Sequence, residues 1–171
     1  MKQKELHPNQ IITLNDFPVY NEHILKIFFK ICKDGYAKII PPCPVVHKSL
    51  VIEDLGEKLK AKLKEFEKKH PKAEYFLLDG SHKTTAENLT GNNIKVMIFE
   101  NNRDIQEAKR LVTAGELFSL RAGDTIKQNA YDLKEHFTKN KGFQTVEEKT
   151  KKMVKEKVIP QYMIRCYNAL K

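Results

Sequence analysis

Tyr75-Phe76-Leu77-Leu78-Asp79-Gly80-Ser81-His82-Lys83-Thr84-Thr85-Ala86 is the stretch on which the reading of this chain turns. Its four leading apolar or aromatic residues suit a buried strand, Asp79-Gly80 makes a sharp turn, and small hydroxyl, imidazole and ammonium side chains follow. The pattern predicts a short helix running from this turn to Gly91. Strand, glycine turn and helix start together form an anion cradle, because the first N–H groups of a helix have no partner within it. Ser81, Thr84 and Thr85 add hydroxyl donors there, and His82 and Lys83 add switchable or fixed positive charge. Taken by itself, the same pattern also fits an ordinary strand–turn–helix connection with a serine cap.

Working outward, Ile52, Leu55, Leu59, Leu63 and Phe66 make one apolar stripe, which predicts a helix over 50–69 stopped by His70-Pro71. Pro41, Pro42 and Pro44 force the chain before it to be extended, leading into a short strand at Val45-Val46 with His47 directly after. Ile24, Ile27, Phe28 and Ile31 fall at helical spacing, with Asn21 as cap, Gly35 as stop and Glu22 in the first turn, where an acid is favoured. Residues 11–14 read as a first strand, and Asn15-Asp16-Phe17-Pro18 as the turn after it. Downstream, residues 94–99 give the best strand signal. A helix from Asn102 or Asp104 to Gly115 follows, then an extended 116–119 and a polar loop, Arg121-Ala122-Gly123-Asp124-Thr125.

Residues 128–171 are helical by pattern. Thr145 and Glu148 fit a capping box, and Pro160 suits the first position of a last helix. Strands and helices alternate through residue 119 and helices follow, so the expected class is α/β (α+β), a small mixed sheet with helices. The expected organisation is a domain over 1–127 and a basic helical extension over 128–171 packed on it.

Composition narrows the function. Among 171 residues, 40% are hydrophobic, enough for a real core, and no apolar run is long enough to cross a membrane. The start, Met-Lys-Gln-Lys-Glu-Leu-His-Pro, lacks the apolar segment of a secretory signal, and three scattered cysteines argue for reduced thiols; both point to a cytoplasmic protein. The net charge is +9, and residues 134–171 hold ten Lys or Arg against four Glu. Such a surface attracts polyanions, but lysines without interleaved aromatics suit a solvated helix face better than a nucleic-acid footprint. His47, His70, His82 and Cys43 show no metal-ligand spacing, and neither a P-loop nor a dinucleotide fingerprint is present. A phosphoryl-transfer site fits best: the 79–85 turn supplies the cradle and Asp79 a carboxylate.

The order of these elements resembles the ParB N-terminal/sulfiredoxin superfamily. The resemblance is carried by Ile12-Thr13-Leu14, the helix to Gly35, Pro41-Pro42-Cys43-Pro44-Val45-Val46, the Asp79-Gly80-Ser81-His82-Lys83 turn, Ala86-Glu87-Asn88-Leu89 and residues 94–98, and it covers roughly residues 11–100. In that family the turn binds nucleotide phosphates, which implies Gly80, Ser81, His82, Lys83, Thr84 and Thr85 as cofactor-binding residues with Asp79 beside them. Ser81 stands where sulfiredoxins place their cysteine, so sulfur chemistry is not expected. The branch that is nearest in pattern resembles the free-serine kinases, through Leu111-Val112-Thr113-Ala114-Gly115-Glu116-Leu117-Phe118-Ser119. It implies a kinase acting on a small hydroxyl substrate with ATP or ADP (CTP possible) and Mg²⁺. Glu22, Asp79 and His82 would then be catalytic, Asp79 would hold the metal, and His47, Arg121 and Thr125 would contact substrate. The chain departs from that branch by having Ser81, Lys83 and Leu120 where the branch has His, Arg and Pro; a lysine keeps the charge of arginine and loses its bidentate fork. The alternative is a ParB-like, DNA-associated or nuclease-like module that uses the basic C-terminal helices and carries no kinase activity.

Overall fold

A computed structural model describes every residue except Tyr20, Phe118, Ser119, Lys141 and Lys171. Five strands, β1 (Lys2–Leu6), β2 (Ile11–Ile12), β3 (Cys43–His47), β4 (Tyr75–Leu77) and β5 (Ile94–Phe99), form one mixed sheet in the order β1-β5-β3-β4-β2. β5 runs parallel to β3 and antiparallel to β1, while β4 runs antiparallel to β3 and parallel to β2. Seven α-helices are present among the described residues: α1 (Glu22–Lys33), α2 (Glu57–Lys69), α3 (Ser81–Leu89), α4 (Asn102–Thr113), α5 (Ile126–Lys139), α6 (Val146–Lys155) and α7 (Gln161–Asn168).

Strand alternation assigns the two faces of the sheet. Cys43, Val45, Leu77, Ile94, Val96 and Ile98 point to one side, where Val146 of α6 joins them. Val46 and Phe76 point to the other, against Leu55, Leu59 and Leu63 and the Ala130, Leu133 and Phe137 stripe of α5. Phe99 and Met97 extend that second face under Ile105 and Ala108 of α4. On the first face α3 is wrapped by α1, α6 and α7, through Leu25, Phe29, Ala86, Leu89, Met153, Met163, Ile164 and Tyr167. The helices after residue 125 therefore contribute to the hydrophobic clusters on both faces of the sheet.

The structure departs from the sequence expectations at definable places. The polar start of the chain forms β1, an edge strand paired with β5 with only Leu6 buried. Charged residues on an edge are a common way to protect it. The helix expected over 50–69 is broken: Gly56 adopts φ +82°, two short 3-10 turns precede it, and α2 starts only at Glu57. Pro44 lies inside β3, a central strand, at the level where β4 is ending; its carbonyl still accepts the Leu78 N–H at 3.0 Å. Pro160 precedes α7 as its cap residue and does not occupy the first helical position. Glu116 and Leu117 form a bend and not a strand, and the rest of that expected segment, Phe118 and Ser119, lies outside the described residues. Asn21 and Thr145 cap α1 and α6 as expected, the latter in a reciprocal box with Glu148.

Candidate functional site: a cleft at the start of α3

β4 ends at Leu77, and Leu78, Asp79 and Gly80 turn the chain straight into α3. Gly80 has φ +105°, and a Cβ there would lie 2.7 Å from Cys43 Sγ, so only glycine fits this turn. Asp79 fixes it from outside: Oδ1 accepts the Gly80 N–H at 2.7 Å and Oδ2 accepts the Arg121 N–H at 3.1 Å, tying the turn to the loop before α5. Gly80 holds the cap position of α3, so its N-cap residue offers no side chain to the helix start. Its first internal backbone bond runs from Thr84 N–H to the Gly80 carbonyl, so the N–H groups of Ser81, His82 and Lys83 precede the hydrogen-bonded helix. Cys43 touches this turn, yet burial pushes its thiol up to about 12, which keeps it protonated.

The segment between β2 and α1 forms the opposite wall, and four side chains pin it. His136 Nε2 accepts the Asn15 N–H at 2.8 Å, and His82 Nε2 accepts the Asn21 N–H at 3.0 Å. Both roles require an unprotonated nitrogen. Burial pushes both imidazoles below the usual histidine range, opposed by the nearby Asp16 carboxylate and reinforced by Lys149. The Asp16 carboxylate accepts the Ser81 hydroxyl at 3.0 Å and is ion-paired with Lys149, whose ammonium also reaches the Leu14 carbonyl at 3.4 Å. Lys149 is only 1% exposed, and burial lowers its pKa against the pull of Asp16.

Between these walls lies a cavity of about 520 Å³. Asp16, Asn21, Asp79, Gly80, Ser81, His82, Lys83 and Arg121 give its lining polar groups, and Leu14, Ile24, Phe28, Pro41 and Leu78 give it apolar ones. A second chamber of about 420 Å³ adjoins it, sharing Leu14, Leu78 and Arg121 and adding Asn129, Asp132 and His136. Each is of the size that small-molecule sites occupy. Lys83 reaches over the turn to the Pro41 carbonyl at 3.3 Å.

Of the residues singled out in the sequence, Asp79, Gly80, Ser81, His82, Lys83 and Arg121 are brought together in this cleft. The others fall elsewhere. Thr84 is buried and turns its hydroxyl back onto the Gly80 and Ser81 carbonyls, and Thr85 is buried in the helix packing. Glu22 stands outside the cleft lining, half exposed on α1 and paired with Lys26. His47 closes the far end of β3 from Cys43, edge-on to Tyr75 and bonded to Ser49. Thr125 caps α5 by accepting the Gln128 N–H, beside the second chamber but not lining it. The sequence did not single out as site residues Asp16, Asn21 and His136, which line the two chambers, or Lys149, which pairs with Asp16 behind the lining. For Lys149 a signal existed, since Val146, Lys149, Thr150 and Met153 occupy one helical face and all four are buried. A lysine in that stripe has to find a buried partner.

Among the described residues no group of three or more His, Cys, Asp and Glu is arranged to hold a metal, and no helix is long and apolar enough to cross a membrane. The lysines of α6 are mostly solvated and partly matched within the helix, as in the Lys151–Glu147 pair. Compared with known protein families, curated proteins and solved structures, the chain matches none.

Proposed function

We propose that this chain binds a nucleotide at the start of α3 and transfers a phosphoryl group to a small hydroxyl substrate such as serine, within a ParB/sulfiredoxin-like fold. One observation carries the reading: a helix start with no N-cap side chain, beside Lys83 and Arg121, opens onto a cavity of about 520 Å³ lined by both polar and apolar residues. Phosphates suit the N–H groups of Ser81, His82 and Lys83, because the helix dipole favours an anion there. The nucleoside suits the apolar lining residues Ile24, Phe28 and Pro41. The adjoining chamber, reached past Arg121, has the room and polarity for the acceptor.

Asp79 lines the cavity beside the phosphate position and would hold Mg²⁺ together with substrate phosphates and water, through oxygens that also accept the Gly80 and Arg121 N–H groups. The ion would neutralise phosphate charge there. The proton-accepting carboxylate is Asp16, which faces the cavity and already accepts a hydroxyl, in place of Glu22 on the outer surface.

Calorimetric titration with ATP, ADP and CTP, with and without Mg²⁺, tests the binding. The expected result is saturable binding of at least one of them, weakened at least about tenfold in Lys83→Ala through loss of a charged phosphate contact. Failure of all three to bind would overturn the reading.

A further inference from the structure

Ser81 does not behave as a helix-capping serine. Gly80 holds the cap position and Ser81 is the first helical residue, so its hydroxyl is not committed to closing the helix start. Here α3 has no side-chain cap, and the Ser81 hydroxyl points across the cleft to donate to Asp16 Oδ1 at 3.0 Å. That same oxygen also pairs with the ammonium of Lys149, a side chain 1% exposed that comes from α6, far along the chain. A hydroxyl, a carboxylate bonded to it and a third group fixing that carboxylate is the arrangement of an activated nucleophile. The N–H groups of His82 and Lys83, the next two along the chain, precede the hydrogen-bonded helix and could receive the charge that develops on a phosphoryl group.

We propose that Ser81 is a covalent nucleophile which takes the terminal phosphoryl group of the bound nucleotide before passing it on. This rests on the nucleotide reading of the cleft and adds a step to it. Ser81 Oγ attacks the terminal phosphorus and a new Oγ–P bond forms. The P–O bond to the leaving nucleotide breaks, and the diphosphate (from a triphosphate donor) departs with the bond's electron pair. The hydroxyl proton goes to Asp16. Lys149 is a positioning residue: it touches neither reactant and holds Asp16 toward Ser81. A hydroxyl substrate in the adjoining chamber would then attack the same phosphorus: its O–P bond forms and the Oγ–P bond breaks. Ser81 Oγ takes back the proton held by Asp16, and Asp16 receives the proton of the substrate hydroxyl.

The test is incubation of the full chain with γ-labelled ATP and Mg²⁺ without acceptor, read by intact mass and peptide mapping, with nucleotide affinity measured by calorimetry on the same samples. The expected result is one phosphoryl group per chain, mapped to Ser81 and absent from Ser81→Ala. Asp16→Asn should slow labelling by about 100-fold or more, the usual contribution of a general base. Lys149→Arg, which keeps the charge, should retain more labelling than Lys149→Met at equal nucleotide affinity. Nucleotide binding without labelling, or labelling only at another residue, would overturn the nucleophile and leave the binding reading standing. No binding at all would overturn both.

Discussion

Replacing Glu87 with glutamine is expected to flatten the pH dependence of folding stability. Glu87 lies on α3, is 2% exposed, and its Oε2 has no hydrogen-bond partner among the described residues. Burial pushes its carboxyl from 4.5 up to about 8, with Glu5 adding to the shift and the Lys95 N–H, Lys83 and Lys95 opposing it. Between those two values the native chain keeps a proton that the unfolded chain has released. Stability due to this group is therefore fully present below pH 4.5 and is lost as pH rises toward 8. Each pH unit inside the window is worth at most ~1.4 kcal/mol, so between about pH 5 and about pH 7.5 the loss approaches ~3 kcal/mol. Glutamine has a similar shape and no such proton. Urea unfolding of both proteins at the two pH values should show the variant gaining on the wild type by about 1 M in midpoint, taking an m-value of 2–3 kcal/mol/M. His82 and His136 titrate in both proteins and cancel in the comparison. A midpoint difference that stayed constant across the window would refute the assignment of a buried, proton-holding Glu87.

Two substitutions probe the cleft's framework. Gly80→Ala must accept a positive φ and place a methyl 2.7 Å from Cys43 Sγ, so a loss of at least ~2 kcal/mol in thermal unfolding is expected; a variant as stable as wild type would mean that the turn is not held there. Lys149→Met removes one member of a buried pair. It should cost about 2 kcal/mol by urea unfolding, below the 3–5 kcal/mol of fully buried pairs because Asp16 is 31% exposed and can hydrate; adding Asp16→Asn should recover part of that, and equal stability of all three proteins would refute the pairing.

Much of the fold was legible because apolar spacing records burial on one face. The stripe at Leu59 and Leu63 and the run at 94–99 each required one element type, and both appear where the spacing put them. β1 was not legible, since four of its five residues are exposed and its pairing is dictated by the edge that β5 offers. α3 shows the opposite failure. Only Ala86 and Leu89 in it are apolar, yet seven of its nine residues are buried, because helices pack around it and leave it no solvent face. Periodicity reads amphipathic helices and is blind to a polar helix at the centre of a layer.

The same geometry explains why the site was only partly visible. A turn motif is local, so Asp79, Gly80, Ser81, His82 and Lys83 could be read as a unit. Asp16 and Lys149 are 133 residues apart and meet only because α6 packs against α3, so no local pattern could join them. Their meeting bears on the status of the C-terminal helices. An appendage would leave the cleft intact if removed. Here α6 supplies the cation that holds Asp16, and α5 supplies His136, which holds the Asn15 N–H. Phe137, beside His136, packs on Phe76 of β4, the strand that leads into the turn. The cleft is thus built from both ends of the chain. The basic character of the last residues, which as composition suggested a polyanion surface, includes one buried lysine that is spent on Asp16 in the cleft wall.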